Sequence, residues 1–222
     1  KSMDSHRISG RILAENIAGP GMMRLVEQSM QAQAQKTSVT EIAVKEWKHP
    51  QAALTFDDGP DIRYTPLLLD GLKERNVRAS FFLLGEKVEQ YPELVERMQK
   101  EGHLVGNHTY HHVQLDKLNE TKAREEILKT NNLIYETTGV YPLYLRPPFG
   151  AWKKNLELCV EMLPVFWTID TLDWKVKNTE KIVRTVKEQI EDGAIILMHD
   201  EYDTSVEAAL QVADDLKAQG YQ

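Results

Sequence analysis

Cysteine is almost missing from this chain: Cys159 stands alone among 222 residues, so no disulfide can form within it. It sits in the apolar-rich run LELCVEM and reads as a packed core thiol. Long hydrophobic runs are missing as well. No window approaches the roughly 18 apolar residues of a membrane-spanning helix. Residues 1–21 hold no extended apolar core of the kind a secretory leader carries. An excess of positive charge is also lacking. With 27 Lys and Arg against 34 Asp and Glu, the formal charge is −7, which argues against nucleic acid as the main partner. The balance of 41% hydrophobic and 27% charged residues excludes a disordered chain. A chain of this length can bury about 70% of its unfolded surface in one domain, so it needs no covalent staple.

What is present falls into two regions. Residues 1–45 read as an N-terminal extension, helical in part: between Pro20 and Gln35, residues Met22, Leu25, Val26, Ser29 and Met30 share one helical stripe. Residues 46–222 read as one catalytic domain in which short apolar runs alternate with helical stretches. The runs are AALTF, ASFFLLG, HLVGNH, YLRPPFG, VFWTID and AIILMHD. Between them lie TPLLLDGLKERN, YPELVERMQKEG, ETKAREEILKTNNLIYETTG and NTEKIVRTVKEQIEDG. Strands alternating with helices predict a parallel α/β architecture. Ionisable residues gathered where strands end are what a (β/α) barrel produces. Six clear strands, with at most one more, predict a distorted, incomplete (β/α) barrel with parallel strands. The sequence ends at Gly220-Tyr221-Gln222, just past a helix, so a missing closing strand is expected.

The polar strand ends carry the chemistry. In Thr55-Phe56-Asp57-Asp58-Gly59-Pro60, adjacent carboxylates point in different directions, so one can bind a metal while its neighbour acts as a base. Asp-Gly-Pro is equally good turn chemistry. In His108-Thr109-Tyr110-His111-His112, a helical turn would set His108 and His112 on one face about 6 Å apart at Cβ, a chelating pair. Two solvated histidines are the alternative, and His111, off that face, reads as a bystander. In Arg146-Pro147-Pro148-Phe149-Gly150 the prolines fix the backbone, so the Phe149 N–H can be aimed at a ligand while Arg146 clamps a carboxylate through two parallel bonds. A rigid turn with a surface arginine is the alternative. Asp170-Thr171-Leu172-Asp173-Trp174 and Leu197-Met198-His199-Asp200 each follow a strand. A carboxylate holding His199 as imidazolium would make it a general acid. Together the five segments supply every role that metal-assisted hydrolysis of an amide or ester requires.

In this order and spacing, TFDDGP, HTYHH, RPPFG, DTLDW and LMHD resemble the five motifs of the polysaccharide deacetylases, carbohydrate esterase family 4, from about Gln51 to the C-terminus. The resemblance implies a distorted (β/α) barrel holding one divalent metal, usually zinc, with manganese or cobalt as alternatives. Position by position, Asp58, His108 and His112 resemble the metal ligands. Asp57 resembles the base that takes a proton from the attacking water, and Arg146 the residue that holds this base. The Phe149 N–H resembles an oxyanion donor. Asp173 resembles the carboxylate that tunes the acid histidine, with Asp170 as the alternative, and His199 resembles that general acid. Trp174 resembles a wall of the site and Leu197 the floor of the acetyl-methyl pocket. The implied substrate is an N-acetylglucosamine-containing polymer, peptidoglycan ahead of chitin-type oligomers, and the implied location is extracellular or associated with the cell wall. An O-deacetylase of the acetyl-xylan type and a catalytically silent carbohydrate-binding relative are the alternatives. The presence of Asp57, Asp58, His108, His112 and His199 speaks against the silent form.

Overall fold

In the computed structural model, the apolar runs become strands and the stretches between them helices. The structure describes residues 49–152, 160 and 162–222; the expected N-terminal extension, residues 1–45, and Cys159 lie outside these. Chain order begins β1 (Ala52–Asp57), α1 (Tyr64–Glu74), β2 (Ser80–Leu83), α2 (Gly85–Gln90), α3 (Pro92–Lys100) and β3 (Leu104–Asn107). It continues with α4 (Glu120–Thr138), β4 (Tyr144–Leu145), β5 (Leu163–Pro164), β6 (Ile169–Asp170) and α5 (Asp173–Val176). The last elements are α6 (Thr179–Gln189), β7 (Ala194–His199) and α7 (Asp203–Ala218). Local chemistry sets the helix ends. Asn119 and Asn178 cap α4 and α6, each accepting the backbone N–H three residues on at 2.9 Å. At the other end of α4, Gly139 takes the left-handed conformation (φ 71°) that suits glycine.

Seven strands form one sheet in the order β5-β4-β3-β2-β1-β7-β6, and every neighbouring pair is parallel. Laid flat, six spacings of about 4.8 Å would set β5 and β6 about 29 Å apart. The chain passes from Pro164 to Ile169 in five residue steps, a reach of at most about 18 Å. The sheet must therefore curl. Val165 N–H still bonds Leu145 C=O at 2.8 Å, and Thr168 N–H already bonds Ile195 C=O at 2.9 Å, so only Phe166 and Trp167 cross the gap. The result is an incomplete (β/α) barrel, as the alternation of elements predicts. The YLRPPFG run is strand only at Tyr144–Leu145, because Pro147 and Pro148 have no N–H for a ladder. At the far end, Gln222 N–H donates to Pro50 C=O at 2.9 Å and Gln222 C=O accepts from Ala52 N–H at 3.2 Å. No described helix is long and apolar enough to cross a membrane.

Successive strand residues face opposite sides of the sheet, and this parity positions the site. Leu54, Phe56, Phe81, Leu83, Ile196 and Met198 face outward and pack with Leu68, Leu72, Met98, Ile182 and Val212 of the helices in one large core. Ala53, Phe82 and Ile195 face inward and cluster with Tyr144 and Val165. The same inward parity carries Thr55 and Asp57 on β1 and Leu197 and His199 on β7. The register pairs Thr55 with Leu197 and Asp57 with His199. The polar ends of two buried strands thus lie side by side at the carboxyl rim of the barrel.

Candidate active site

Three candidate metal ligands meet above the end of β1. The backbone turns left-handed at Asp58 (φ 69°), which separates its carboxylate from that of Asp57. The helical turn expected for His108 to His112 is not formed. The segment is a loop with left-handed φ at Thr109 (69°) and at His112 (55°). Asn107 Oδ1 accepts the Thr109 N–H at 2.7 Å, a local bond that competes with helix formation at this point. The loop still brings the two imidazoles to 5.1 Å between ring centres. Their Nε2 atoms stand 3.3 Å (His108) and 3.4 Å (His112) from Asp58 Oδ1. One ligand atom from each of the three residues lies within 4.8 Å of the others.

The protonation pattern suits a cation. His108 Nδ1 is 2.6 Å from the Arg146 carbonyl. A carbonyl can only accept, so Nδ1 carries a proton, and Nε2, facing Asp58, is the nitrogen placed to ligate an ion. Burial lowers His112, although Asp58 opposes the shift, and the neutral, ligating form is favoured. Burial alone would raise Asp58, but His108, His112 and His199 hold its carboxyl well below the usual range. Asp58 Oδ1 is buried without a hydrogen-bond partner. A carboxylate oxygen and imidazole nitrogens facing one another in this way are costly unless a proton or a metal cation lies between them. A tetrahedral ion with bonds of about 2.1 Å spaces its ligands about 3.4 Å apart, which matches the two separations between Asp58 and the histidines. The residues fit a single divalent ion.

Asp57, 3% exposed, lies beside this trio, its Oδ2 3.7 Å from His108 Nε2. Its Oδ1 accepts from Arg146 Nη1 at 2.7 Å. The same nitrogen donates to Thr55 Oγ1 at 2.8 Å, and Nη2 reaches the Phe166 carbonyl at 3.4 Å. The expected two-bond clamp is therefore a one-nitrogen contact, because three acceptors divide the guanidinium between them. Arg146 is fully buried, with its guanidinium carbon 4.2 Å from the centre of the Phe82 ring. Burial lowers its pKa and Asp57 opposes the shift.

On the opposite wall, His199 Nδ1–H donates to Asp173 Oδ1 at 2.7 Å. Asp173 is buried at the start of α5, and its Oδ2 accepts the His199 backbone N–H at 2.8 Å and the Ser205 hydroxyl at 2.7 Å. Burial alone would depress the imidazole; Asp173 more than offsets it and lifts His199 to about 9. The free Nε2 is 3.8 Å from Asp58 Oδ2. Asp170 has a different partner, accepting the Leu172 N–H at 3.0 Å. His111 also stays out of the cluster, its Nδ1 bonded to Glu126 at 2.8 Å.

A cleft of about 490 Å³ brings together Asp57, Asp58, His108, His112, Phe149, Trp174, Leu197 and His199. Arg146 and Asp173 lie buried behind it. Phe149 is 67% exposed at φ 60°, with its ring 4.6 Å from that of His112. Trp174 is 49% exposed, while Leu197 is buried. Asp170 also lines the cleft, as do three residues the sequence did not single out, Trp167, Glu201 and Tyr202. Trp167 lies within the VFWTID run and Tyr202 follows LMHD, but neither carries a local signal of its own. Ser205, the support for Asp173, is 32 residues away from it in sequence.

The profile described as polysaccharide deacetylase matches residues 45–167. The chain is similar to the peptidoglycan-N-acetylglucosamine deacetylase of Bacillus cereus, 41% identical over 177 residues, covering 77% of this chain and 64% of that protein. It is also similar to the peptidoglycan-N-acetylmuramic acid deacetylase PdaC of Bacillus subtilis, 42% identical over 170 residues, covering 77% and 36%. It thus spans less than two thirds of the length of either curated relative. The solved structure of PdaC superposes with a TM-score of 0.76 at 41% identity, covering 79% of this chain and 87% of that one. A CE4 family pseudoenzyme from Bacillus anthracis superposes at 0.74 with 30% identity, covering 79% and 63%.

Proposed function

The chain belongs to the polysaccharide deacetylase family, and from that premise we propose that it is a metal-dependent hydrolase removing N-acetyl groups from an N-acetylglucosamine-containing polysaccharide, with peptidoglycan favoured. One observation carries the proposal: a carboxylate and two imidazoles poised for a cation share a cleft with a separate buried carboxylate and a carboxylate-bound histidine. Asp58, His108 and His112 would hold the ion, zinc in preference to manganese or cobalt. When bound, it supplies Lewis acidity toward the acetyl carbonyl and makes water a better nucleophile near neutral pH.

The chain's own residues do the rest. Asp57 acts as the base and accepts the proton of the attacking water, oriented for that task by Arg146 Nη1. The Phe149 N–H donates to the developing oxyanion, a contribution of about 3 kcal/mol for such a donor. His199, kept protonated by Asp173, passes a proton from Nε2 to the leaving amine. Leu197 offers the acetyl methyl an apolar floor, and Trp174 an aromatic wall. Beyond the metal site and base, the charged residues lining the cleft include the carboxylates of Asp170 and Glu201. Glu201 is neutralised there by its ion pair with Lys87. Relatives named for peptidoglycan support an extracellular or wall-associated location.

The test is to treat peptidoglycan, an N-acetylglucosamine oligomer and acetylated xylan with metal-loaded enzyme, and to locate each lost acetyl group by mass spectrometry. Loss from glucosamine nitrogen supports the proposal. Loss only from xylan oxygen would make the chain an O-deacetylase, and no loss from any polymer would favour a silent carbohydrate binder.

A further inference from the structure

The loop bearing His108 and His112 has an unfavourable shape, and a carboxylate outside the cleft holds it there. Its backbone is left-handed at Thr109 (φ 69°) and again at His112 (φ 55°). A residue with a Cβ incurs a penalty of roughly 1–2 kcal/mol in that conformation, so the loop needs fixed partners. Glu126, on α4, provides three. Its Oε2 accepts the backbone N–H of Tyr110 at 3.0 Å and of His111 at 2.9 Å, and its Oε1 accepts from His111 Nδ1 at 2.8 Å. The opposite edge of the loop is held by α2, where Gly85 N–H donates to Thr109 C=O at 2.9 Å and Glu86 N–H donates to Tyr110 C=O at 3.2 Å. A Cβ on Gly85 would stand 2.5 Å from the Tyr110 ring and 3.1 Å from its Cα, so the approach leaves no room for adjustment.

We infer that Glu126 is a positioning residue for the metal site. It fixes the Tyr110–His111 backbone and so presets the direction in which His108 and His112 present Nε2 to Asp58. The inference rests on the metal-site reading proposed above. Glu126 does not line the cleft, and its side chain is only 16% exposed. Without it, two successive N–H groups lose a charged acceptor, and the loop can relax out of its left-handed turns. The ligands then have to be reorganised when metal binds. Partners outside the ligand shell typically contribute 10- to 100-fold in metal affinity, and for a contact acting through the backbone the expected loss is about tenfold.

The experiment titrates metal-free protein with Co²⁺ and follows the visible absorption of the bound ion, for wild type, Glu126→Ala, Glu126→Asp and Asp58→Asn. Thermal unfolding of each metal-free protein is recorded alongside. Glu126→Ala is expected to bind Co²⁺ about tenfold more weakly, with a changed absorption band, while still unfolding cooperatively. Glu126→Asp keeps the charge but withdraws it by one methylene, and it should show the same direction of change if the alanine variant does not fold. Unchanged affinity and an unchanged band in the folded variants, with the wild type binding normally and Asp58→Asn not binding, would overturn this inference alone. Failure of the wild type to bind, or normal binding by Asp58→Asn, would overturn the metal-site reading and the positioning role with it.

Discussion

Arg146→Met removes one partner of the ion pair behind the cleft and leaves the other in place. Both side chains are nearly inaccessible, at 0% for Arg146 and 4% for Asp57, and 2.7 Å separates their closest nitrogen and oxygen. Methionine can follow the arginine stem and pack on Phe82, so little volume is lost. Asp57 loses its charged donor while remaining buried beside Asp58. Removing one partner of a buried pair typically destabilises by about 3–5 kcal/mol. At about 2–4 °C per kcal/mol for a domain of this size, Tm should fall by roughly 6–20 °C. The double variant Asp57→Leu/Arg146→Met should recover most of that loss, because both charges then leave together. Thr55 is not orphaned in either case, since its hydroxyl still donates to the Ile196 carbonyl at 2.7 Å. Thermal and urea unfolding with chelator present measure the effect without a contribution from bound metal. An Arg146→Met variant within about 1 kcal/mol of wild type would mean that Asp57 does not depend on this partner, against the roughly 3–5 kcal/mol expected. So would a double variant less stable than the single one.

His199→Ala and Asp57→Asn should each lower kcat by about 10²–10⁴ while Co²⁺ titration still shows a bound ion; retained turnover in either would remove the role assigned to that residue. Burial pushes the Asp200 carboxyl up to about 7, with the Thr65 hydroxyl and Lys87 opposing the shift. Its folded-state value then exceeds the unfolded 3.8, so the native state binds the proton more tightly and stability declines as pH rises from about 4 through 7. The effect is up to about 4 kcal/mol. Urea unfolding across that window should show this slope in the wild type and its loss in Asp200→Asn; an identical slope in both would rule out Asp200 as its source. A methyl at Gly59 would stand 2.5 Å from Asp200 Oδ1. Gly59→Ala should therefore destabilise by about 1–3 kcal/mol, as overpacking does, which thermal unfolding would detect.

Much of the site was legible because strand parity and motif spacing act locally. The apolar runs of β1 and β7 place Asp57 and His199 on one face, and the parallel register sets them opposite each other. Five polar strand ends in a barrel also converge without help from long-range packing. What depended on backbone detail was not legible. Histidines four apart look like a helical pair, yet His108 and His112 converge through a loop bent left-handed at Thr109. Arg146 looked like a fork for one carboxylate, but burial divides it among Thr55, Asp57 and Phe166. The choice between Asp170 and Asp173 was open in DTLDW. In the fold, the left-handed turn at Leu172 (φ 51°) precedes an Asp173 directed toward His199. Ser205 and Glu126 gave no signal, since each acts on a partner far away in sequence and close only after folding.

The measurement that bears most directly on the central claim is acetate release from an N-acetylglucosamine oligomer by chelator-treated enzyme, with Zn²⁺, Mn²⁺ or Co²⁺ restored or withheld. Silence without metal, release on add-back, and no recovery in Asp58→Asn under the same metals are expected. Release that persists in fully metal-free enzyme, or that Asp58→Asn sustains at the wild-type rate, would contradict that claim.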